Sequence, residues 1–337
     1  MEKEIQMGKV VFYCNDTRSN IENMEYYCLD IKALEDIGHD VIVCTKYREI
    51  PMSFDAIYIY WWTYALLPVL LAKFKNKPSY ISGVFNYRFP EWEEGLDYFK
   101  RPFWQRCLMR WSMKLTDANL VTSLSDFTKC TKAFELSNMH YTPCCIGDDY
   151  FEIVTEKTTK NLMNIAWAGL TNLKRKGVFD IIRALKIVKD RGYEFHLTLA
   201  GGRSDGSKNL EELIAANGLF DQINLVGEVT KGDKIALLSN SAIYIQPSNY
   251  EGFGLASAEA MAAGLKVIAC DVGDVRNTLG SHAVYVQNGN VQEIAEKITE
   301  LLSNETNKDD IILARDFLLG KYSYKQKLSD IAAIVQV

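Results

Sequence analysis

The sequence has little of what marks several large classes of protein. Its 7 prolines and 21 glycines in 337 residues exclude a collagen-like or low-complexity chain. The 38 basic residues are nearly balanced by 43 acidic ones, and a net charge of −5 gives no electrostatic reason to expect a nucleic-acid partner. The most apolar segment, residues 56–72, contains Pro68 and is too short to cross a bilayer as one helix. What remains is a folded globular chain in which 48% of the residues are hydrophobic.

Cysteine and histidine are too scattered to suggest a metal centre. The eight cysteines form no C-x-x-C pair, and the four histidines lie far apart in sequence. Several cysteines lie in apolar runs typical of buried strands, which favours reduced thiols. The N-terminus is acidic and lacks the basic stretch and apolar run of a signal peptide. We therefore expect a cytoplasmic protein without a metal ion or organic cofactor.

Short β-branched or aromatic runs alternate with helix-length amphipathic stretches along the chain, which predicts an α/β protein built on parallel sheets. Strands are predicted near residues 10–13, 41–44, 56–60, 80–83, 119–122, 164–168, 195–200, 224–226, 243–246 and 267–270. Helices are predicted between these strands, among others at 20–37, 178–190 and 255–264. Three more are predicted after the last strand, at 291–303, 308–319 and 324–335. The pattern stops at 142–160, the predicted linker.

The length and this break predict two domains, since a domain usually has about 100 to 200 residues. The first domain is predicted at 1–150 and the second at 151–322. A C-terminal helix follows at 323–337, and one arrangement for it is packing back onto the first domain.

The most informative segment follows the strand predicted at 243–246. That strand ends at Pro247, the next loop presents Glu251, and a helix is predicted to begin near Phe253 or Gly254. Free backbone N–H groups in the first turn of a helix favour phosphate binding. Glu251 and Glu259 add two carboxylates, which accept hydrogen bonds from vicinal hydroxyl groups. Phosphate combined with a polyol describes a nucleotide sugar.

The same segment carries the pattern P-S-x-x-E-G-F-G-L-x-x-x-E-A-M-A-x-G, and it resembles the GT4-type retaining glycosyltransferases of the GT-B fold. Further matches follow the family's order across residues 163–335, at 169–177, 199–202, 225–227, 271–277 and 322–324. The resemblance implies two Rossmann-like, doubly wound parallel-sheet domains that face each other across a cleft. The first would bind the acceptor and the second the nucleotide-sugar donor.

The resemblance also implies roles for individual residues. Glu251 would contact the donor sugar and Lys176 the diphosphate, which makes these two the predicted catalytic residues. Glu259 would contact the ribose. The remaining predicted substrate-binding residues are Gly252, Phe253, Gly254 and Leu255, whose amides would hold the diphosphate, together with Arg175, Gly202, Gly227, Arg18 and Ser19. For Arg18 and Ser19 an ordinary loop is an equal alternative.

The sequence departs from the family pattern at several positions. Leu170 stands where an Arg is expected, so Lys174 or Arg175 would have to replace that contact. Asn277 stands where a Glu is expected, and the segment 82–87 lacks the family's His. The predicted function is metal-independent transfer of a hexosyl group, with retention, from a UDP- or GDP-sugar to a glycan, lipid-linked or small-molecule acceptor. The alternative is a GT-B protein that binds nucleotide sugars without catalysis.

Two aromatic segments allow two interpretations each. Phe99 to Leu115 has five basic residues and no acidic one, interleaved with aromatic side chains. It predicts either a helix packed on the core or a peripheral contact with the inner face of a membrane. The tract 58–62 predicts either a strand entering the core or aromatic rings that stack on an acceptor sugar.

Overall fold

Every strand in the described part of the chain belongs to one of two parallel six-stranded sheets. The computed structural model describes residues 8–89, 97–153, 164–168, 173–202, 206–304 and 307–337. The chain divides into a first unit, residues 1–145 with 322–337, and a second unit, residues 146–321. The predicted boundaries were 150 and 322.

The first unit contains the sheet with strand order β2-β1-β3-β4-β5-β6. Its inner strands are buried on both faces, as in β3, where all five residues are buried. Along the chain its elements are β1 (Lys9–Cys14), α1 (Arg18–Asn23), α2 (Glu25–Asp36), β2 (Asp40–Cys44), β3 (Ala56–Tyr60), α3 (Leu66–Phe74), β4 (Ser79–Gly83), α4 (Phe103–Leu115), β5 (Ala118–Val121), α5 (Leu124–Phe134) and β6 (Met139–Tyr141).

The helix predicted at 20–37 is wrong as one element, because the structure divides it into α1 and α2. Met24 adopts an extended conformation between them, and α1 begins two residues earlier than predicted because Thr17 caps it by accepting from the Asn20 amide. The predicted end is confirmed, since Gly38 has a φ of 97° immediately after the helix.

The second unit contains the sheet with strand order β12-β11-β10-β7-β8-β9. Its elements are α6 (Asp148–Glu152), β7 (Asn164–Ala168), α7 (Val178–Asp190), β8 (His196–Ala200), α8 (Ser207–Ala216), β9 (Ile223–Gly227), α9 (Lys231–Ser239), β10 (Ile243–Gln246), α10 (Leu255–Ala262), β11 (Lys266–Cys270), α11 (Val275–Leu279), β12 (Val284–Val286), α12 (Val291–Ser303) and α13 (Lys308–Tyr322). The order is that of a dinucleotide-binding Rossmann sheet, in which the direction of winding reverses between β7 and β10.

The last helix, α14 (Tyr324–Ile334), packs against α2 of the first unit. The Tyr324 hydroxyl donates to Asp36 at 2.7 Å, and the Lys327 ammonium donates to Asp30 at 2.8 Å. These contacts make the C-terminal helix part of the first unit. None of the helices in the described ranges is both long and apolar enough to span a membrane.

Candidate active site

Most of the predicted site residues of the second unit follow the carboxyl ends of β7 and β10. Lys176 is in the loop that follows β7, and Glu251 is in the loop that follows β10. These two strands are neighbours in the sheet although 74 residues of chain lie between the end of β7 and the start of β10. In open α/β sheets the point where the winding reverses leaves a crevice at the strand ends, and ligands bind there.

Glu251 is the most strongly held carboxylate of this region. Its side chain is 10% exposed, and its Oε1 accepts hydrogen bonds from three side chains. Lys176 Nζ donates at 2.6 Å, Gln246 Nε2 at 2.8 Å and Ser248 Oγ at 2.9 Å. Among the described residues all these contacts fall on Oε1, so the other oxygen is the one that a ligand would engage.

The charge on Glu251 follows from these neighbours. Burial alone raises the pKa of a carboxyl group because it disfavours the charged form. Attraction to Lys176 and Arg175 outweighs burial here, and the net pKa of Glu251 is lowered from its ordinary value. The group is therefore a carboxylate at neutral pH.

Two glycines let neighbouring backbones approach the Glu251 loop closely. Gly177 has a φ of 71°, and a Cβ there would overlap the carbonyl oxygen of Pro247. Gly273 has a φ of 56°, and a Cβ there would overlap the carbonyl oxygen of Glu251 itself. The loop is thus held from both sides by positions that only glycine occupies without strain.

Hydrogen bonds join the two loops directly. The Asn249 amide donates to the Arg175 carbonyl at 2.7 Å, and the Asn249 side chain donates to the Lys174 carbonyl at 3.2 Å. The Arg175 guanidinium donates to the Tyr250 carbonyl at 3.1 Å. Arg175, predicted as a substrate-binding residue, therefore also positions the loop that carries Glu251.

The amino-terminal end of α10 lies immediately after this loop. Gly254 precedes the helix with a φ of 85°, and no side chain caps it. The first amides of an α-helix have no carbonyl partner within the helix, and the helix dipole favours an anion beside them. Phe253, which precedes Gly254, is buried and is 5% exposed.

Glu259 is held by a partner that the sequence analysis did not find. Its side chain is 2% exposed and forms an ion pair with Lys234 on α9. Lys234 also lies over the Tyr150 ring, 5.2 Å from its centroid. The Thr230–Asp233 capping box predicts where α9 begins, but nothing in the sequence predicts which carboxylate its lysine meets.

A cavity of about 240 Å³ opens at the carboxyl ends of β7, β8 and β9. It brings together the predicted residues Gly202 and Gly227, and a Cβ at either would meet no other atom within 4 Å. Gly227 has a φ of 73°, and its carbonyl accepts from the Gly201 amide at 2.7 Å. The wall is mostly apolar, with Trp167, Leu173, Leu199, Leu210 and Leu225 among its residues.

The remaining predicted residues lie elsewhere. Arg18 and Ser19 belong to the first unit, where they begin α1 and where Arg18 donates to the Val43 carbonyl at 3.0 Å. Leu170 is outside the described residues. Asn277 lies on α11 and donates to Asp274 at 3.0 Å.

The equivalent position in the first unit, between β1 and β3, is aromatic. Tyr58, Tyr60 and Trp62 are buried, which confirms the core interpretation for most of the tract 58–62. Trp61 is half-buried and has a φ of 75°, unusual for a residue with a side chain. Its indole N–H donates to the Tyr27 hydroxyl at 2.8 Å.

Metal ligands are not grouped in the part of the chain that the structure describes, since no three His, Cys, Asp or Glu side chains there are arranged to hold an ion. The cations of the site are instead lysine and arginine side chains.

Known proteins similar to this chain are glycosyltransferases. Residues 170–315 match the family model for glycosyl transferases group 1. CapM of Staphylococcus aureus, a capsular polysaccharide biosynthesis glycosyltransferase, is 29% identical over 41% of the chain. RfbU of Salmonella typhimurium, an O-antigen chain mannosyltransferase, is 21% identical over 77%. A GDP-mannose:cellobiosyl-diphosphopolyprenol alpha-mannosyltransferase of Xanthomonas campestris is 28% identical over 40%. The matched segments span 37%, 64% and 36% of these three proteins.

Solved structures share the fold over nearly the whole chain. A glycosyltransferase from Rickettsia africae matches with a TM-score of 0.78 and 18% identity, over 98% of both chains. HepE of Anabaena in complex with UDP matches with a TM-score of 0.74 and 14% identity, over 96% of this chain and 98% of that one. At such identities the likeness concerns the fold.

Proposed function

We propose that the chain, whose residues 170–315 match the model for glycosyl transferases group 1 and whose fold is GT-B, transfers a hexosyl group from a UDP- or GDP-sugar. The observation that carries the proposal is the Lys176–Glu251 pair, fixed at the point where the winding of the second sheet reverses. A cation and an oriented carboxylate lie there beside the uncapped end of α10. The relatives support this choice, since one is named for GDP-mannose and a structural neighbour binds UDP.

In the proposed mechanism the donor diphosphate lies at the first-turn amides of α10 and accepts a charge-assisted hydrogen bond from Lys176. Departure of the nucleoside diphosphate concentrates negative charge, which fixed donors stabilise without the cost of reorganising water. Glu251 accepts from the donor sugar through its second carboxylate oxygen and stabilises positive charge that develops on the ring. No metal ion is needed for these steps.

The rest of the donor is proposed to follow the strand ends. Glu259 accepts from the ribose hydroxyl groups, and its ion pair with Lys234 holds the carboxylate in place. The base enters the cavity at β7, β8 and β9, whose apolar wall suits an aromatic ring. The acceptor is a glycan, a lipid-linked glycan or a small molecule, and the sugar keeps its anomeric configuration.

The first experiment identifies the donor. Purified full-length protein is mixed with UDP-, GDP- and ADP-sugars, and the unfolding temperature is measured, because a ligand that binds only the folded state raises it. We expect the largest rise with a UDP- or GDP-sugar. No rise with any of them would contradict the proposal.

The second experiment separates catalysis from binding alone. With the donor so identified, we expect Glu251→Gln to lower donor turnover by about 10²-fold or more while binding is retained. The control is Glu300→Gln, which removes an ion-paired carboxylate on α12, remote in sequence from the site. Binding without turnover by the unaltered protein would favour the non-catalytic alternative. Retention is tested by the anomeric signals of the product in proton NMR.

A further inference from the structure

Helix α4 of the first unit exposes a line of large apolar side chains. Trp104 and Trp111 are 62% and 59% exposed, and Leu115 follows one turn later at 39%. The opposite side of the helix supplies Met109 and Met113 to the core. The helix is therefore apolar on two sides, and only one of them is covered by the first unit.

The neighbouring helix extends this surface. Helix α3 packs against α4 and exposes Leu67 at 59% and Phe74 at 90%, two residues seven positions apart on one side of the helix. Phe103 at the start of α4 is 74% exposed. We define the α3–α4 face by six residues: Leu67, Phe74, Phe103, Trp104, Trp111 and Leu115. Large exposed apolar side chains concentrated on two packed helices mark an interaction site in a soluble protein.

The charge beside the face has one sign. Arg106, Arg110 and Lys114 are four residues apart and form one line along α4, the helix that carries the two tryptophans. The chain has no acidic residue from 98 to 116. Asp117, which follows, forms an ion pair with Lys73 at 2.9 Å. This basic line lies on a chain whose net charge is −5, so it is a local feature of the helix.

Exposed tryptophan and phenylalanine flanked by cations match the boundary between lipid headgroups and acyl chains. Tryptophan is enriched at that boundary because its ring is apolar while its N–H is polar. Cations beside the rings attract anionic headgroups. We propose that the α3–α4 face binds the surface of a bilayer that contains anionic lipids. The inference is independent of the proposed catalytic function, because none of its residues belongs to the second unit.

The test is binding of the full-length protein to vesicles of phosphatidylcholine with and without about 30% phosphatidylglycerol, by sedimentation. We expect binding to the anionic vesicles that weakens without phosphatidylglycerol and weakens with added salt, because salt screens the attraction. No binding of the unaltered protein to the anionic vesicles would overturn the proposal.

Variants separate the two contributions. Trp104→Ser with Trp111→Ser is expected to lower partitioning about ten-fold. The control Phe220→Ser removes a side chain of similar exposure, 65%, from the second unit. Arg110→Gln with Lys114→Gln is expected to lower partitioning by about 25-fold, five-fold for each cation. The control for charge is Lys208→Gln, a lysine whose side chain is 85% exposed on α8.

The controls are expected to bind as the unaltered protein does. An equal loss in Phe220→Ser or Lys208→Gln would show that the binding is not specific to this face, and would overturn the proposal. Sedimentation velocity tests the competing occupant. A dimer that the Trp104→Ser, Trp111→Ser variant converts to a monomer, without vesicle binding, would assign the face to a second copy of the chain.

Discussion

Each unit contains a lysine–carboxylate pair that is largely hidden from solvent, and the two pairs lie in different surroundings. In the first unit Lys327 and Asp30 are 2.8 Å apart, with side chains 2% and 3% exposed. In the second unit Lys176 and Glu251 are 2.6 Å apart, with side chains 13% and 10% exposed. The residue types are similar, so the difference in role must come from where the fold places them.

Asp30 is contacted by side chains of two strands and a helix in the interior of the first unit. Tyr58 on β3 donates to it at 2.7 Å and Ser82 on β4 at 3.3 Å, while Lys327 reaches it from α14. The carboxylate thus joins two helices to the middle of a sheet. Glu251 receives its contacts from the ends of strands and the loops after them, where a ligand has access. The comparison teaches that position in the topology distinguishes the structural pair from the pair for which we propose a function.

The largest expected effect comes from breaking the structural pair. Lys327→Met leaves the Asp30 carboxylate buried without its cation, and we expect the free energy of unfolding to fall by about 3–5 kcal/mol. Denaturant unfolding measures this loss. The double variant Lys327→Met, Asp30→Asn removes the charge as well and is expected to be more stable than Lys327→Met. A loss below about 1 kcal/mol in Lys327→Met would remove the distinction between the two pairs.

The pH dependence of the same pair has a definite sign. Burial lowers the pKa of Lys327, but attraction to Asp30 outweighs it, and the net pKa is raised. A cationic group whose pKa is raised in the folded state stabilises that state, and its contribution is fully present at pH values below its unfolded pKa of about 10.4. That contribution is lost as pH rises through the folded pKa. Lys327→Met is therefore expected to flatten the alkaline side of the stability curve.

The second prediction breaks the functional pair. Lys176→Met removes the cation proposed to stabilise the leaving diphosphate, and we expect transfer to fall by about 10²- to 10³-fold. The loss of stability is expected to be smaller than in Lys327→Met, because water reaches both side chains of the pair. The control Lys186→Met breaks an exposed pair with Asp190 on α7 and is expected to keep normal transfer. Equal losses of transfer in the two variants would contradict the assignment.

The sequence alone was sufficient to predict the elements that have a clear hydrophobic pattern. The predicted bounds of β3, β7 and β10 and of α7 and α12 agree with the structure residue for residue. Strands β6 and β12 were missed, since each has three residues and offers too short a run for a period to be seen. Helix breaks such as that at Met24 depend on one backbone conformation, which composition does not reveal.

The candidate site was predictable in part for a similar reason. Glu251 and Lys176 lie in two separate loops with recognisable patterns, so the sequence singled out both, and the structure joins them by a hydrogen bond across 75 positions of the chain. Lys234 lies on an ordinary amphipathic helix, and its pairing with Glu259 is visible only once α9 and α10 are packed. The role of Gly273 likewise depends on how closely another loop approaches it.

The third prediction concerns a variant that displaces Glu251 of the Lys176–Glu251 pair and leaves both charges in place. Gly273→Ala places a Cβ where the Glu251 carbonyl oxygen lies, so the loop must shift. A displacement of about 1 Å at a catalytic group costs roughly 10²-fold in rate. The matched control is Gly192→Ala, which has a similarly positive φ of 83° but no atom within 4 Å of the added Cβ. We expect Gly192→Ala to lower the free energy of unfolding by about 1–2 kcal/mol. Its transfer activity is expected to equal that of the unaltered protein.

The smallest expected effect is a difference between the two units in how their stability responds to acid pH. His39 in the first unit is 8% exposed, and its Nδ1 has no hydrogen-bond partner among the described residues. Burial lowers its pKa, so its neutral form stabilises above the unfolded pKa of about 6.5, and this contribution is lost as pH falls below that value. Glu251 in the second unit has a lowered carboxyl pKa, so its contribution persists to more acid pH.

His39→Gln should therefore reduce the loss of thermal stability between pH 7.5 and 5.5, since glutamine does not titrate. The rise in unfolding temperature caused by the donor, which reports on the second unit, is expected to be the same in the variant and the unaltered protein at each pH. If the variant instead lost stability with acid as steeply as the unaltered protein, the titrating group would lie elsewhere. The first unit would then owe its acid response to its carboxylates, as the second does.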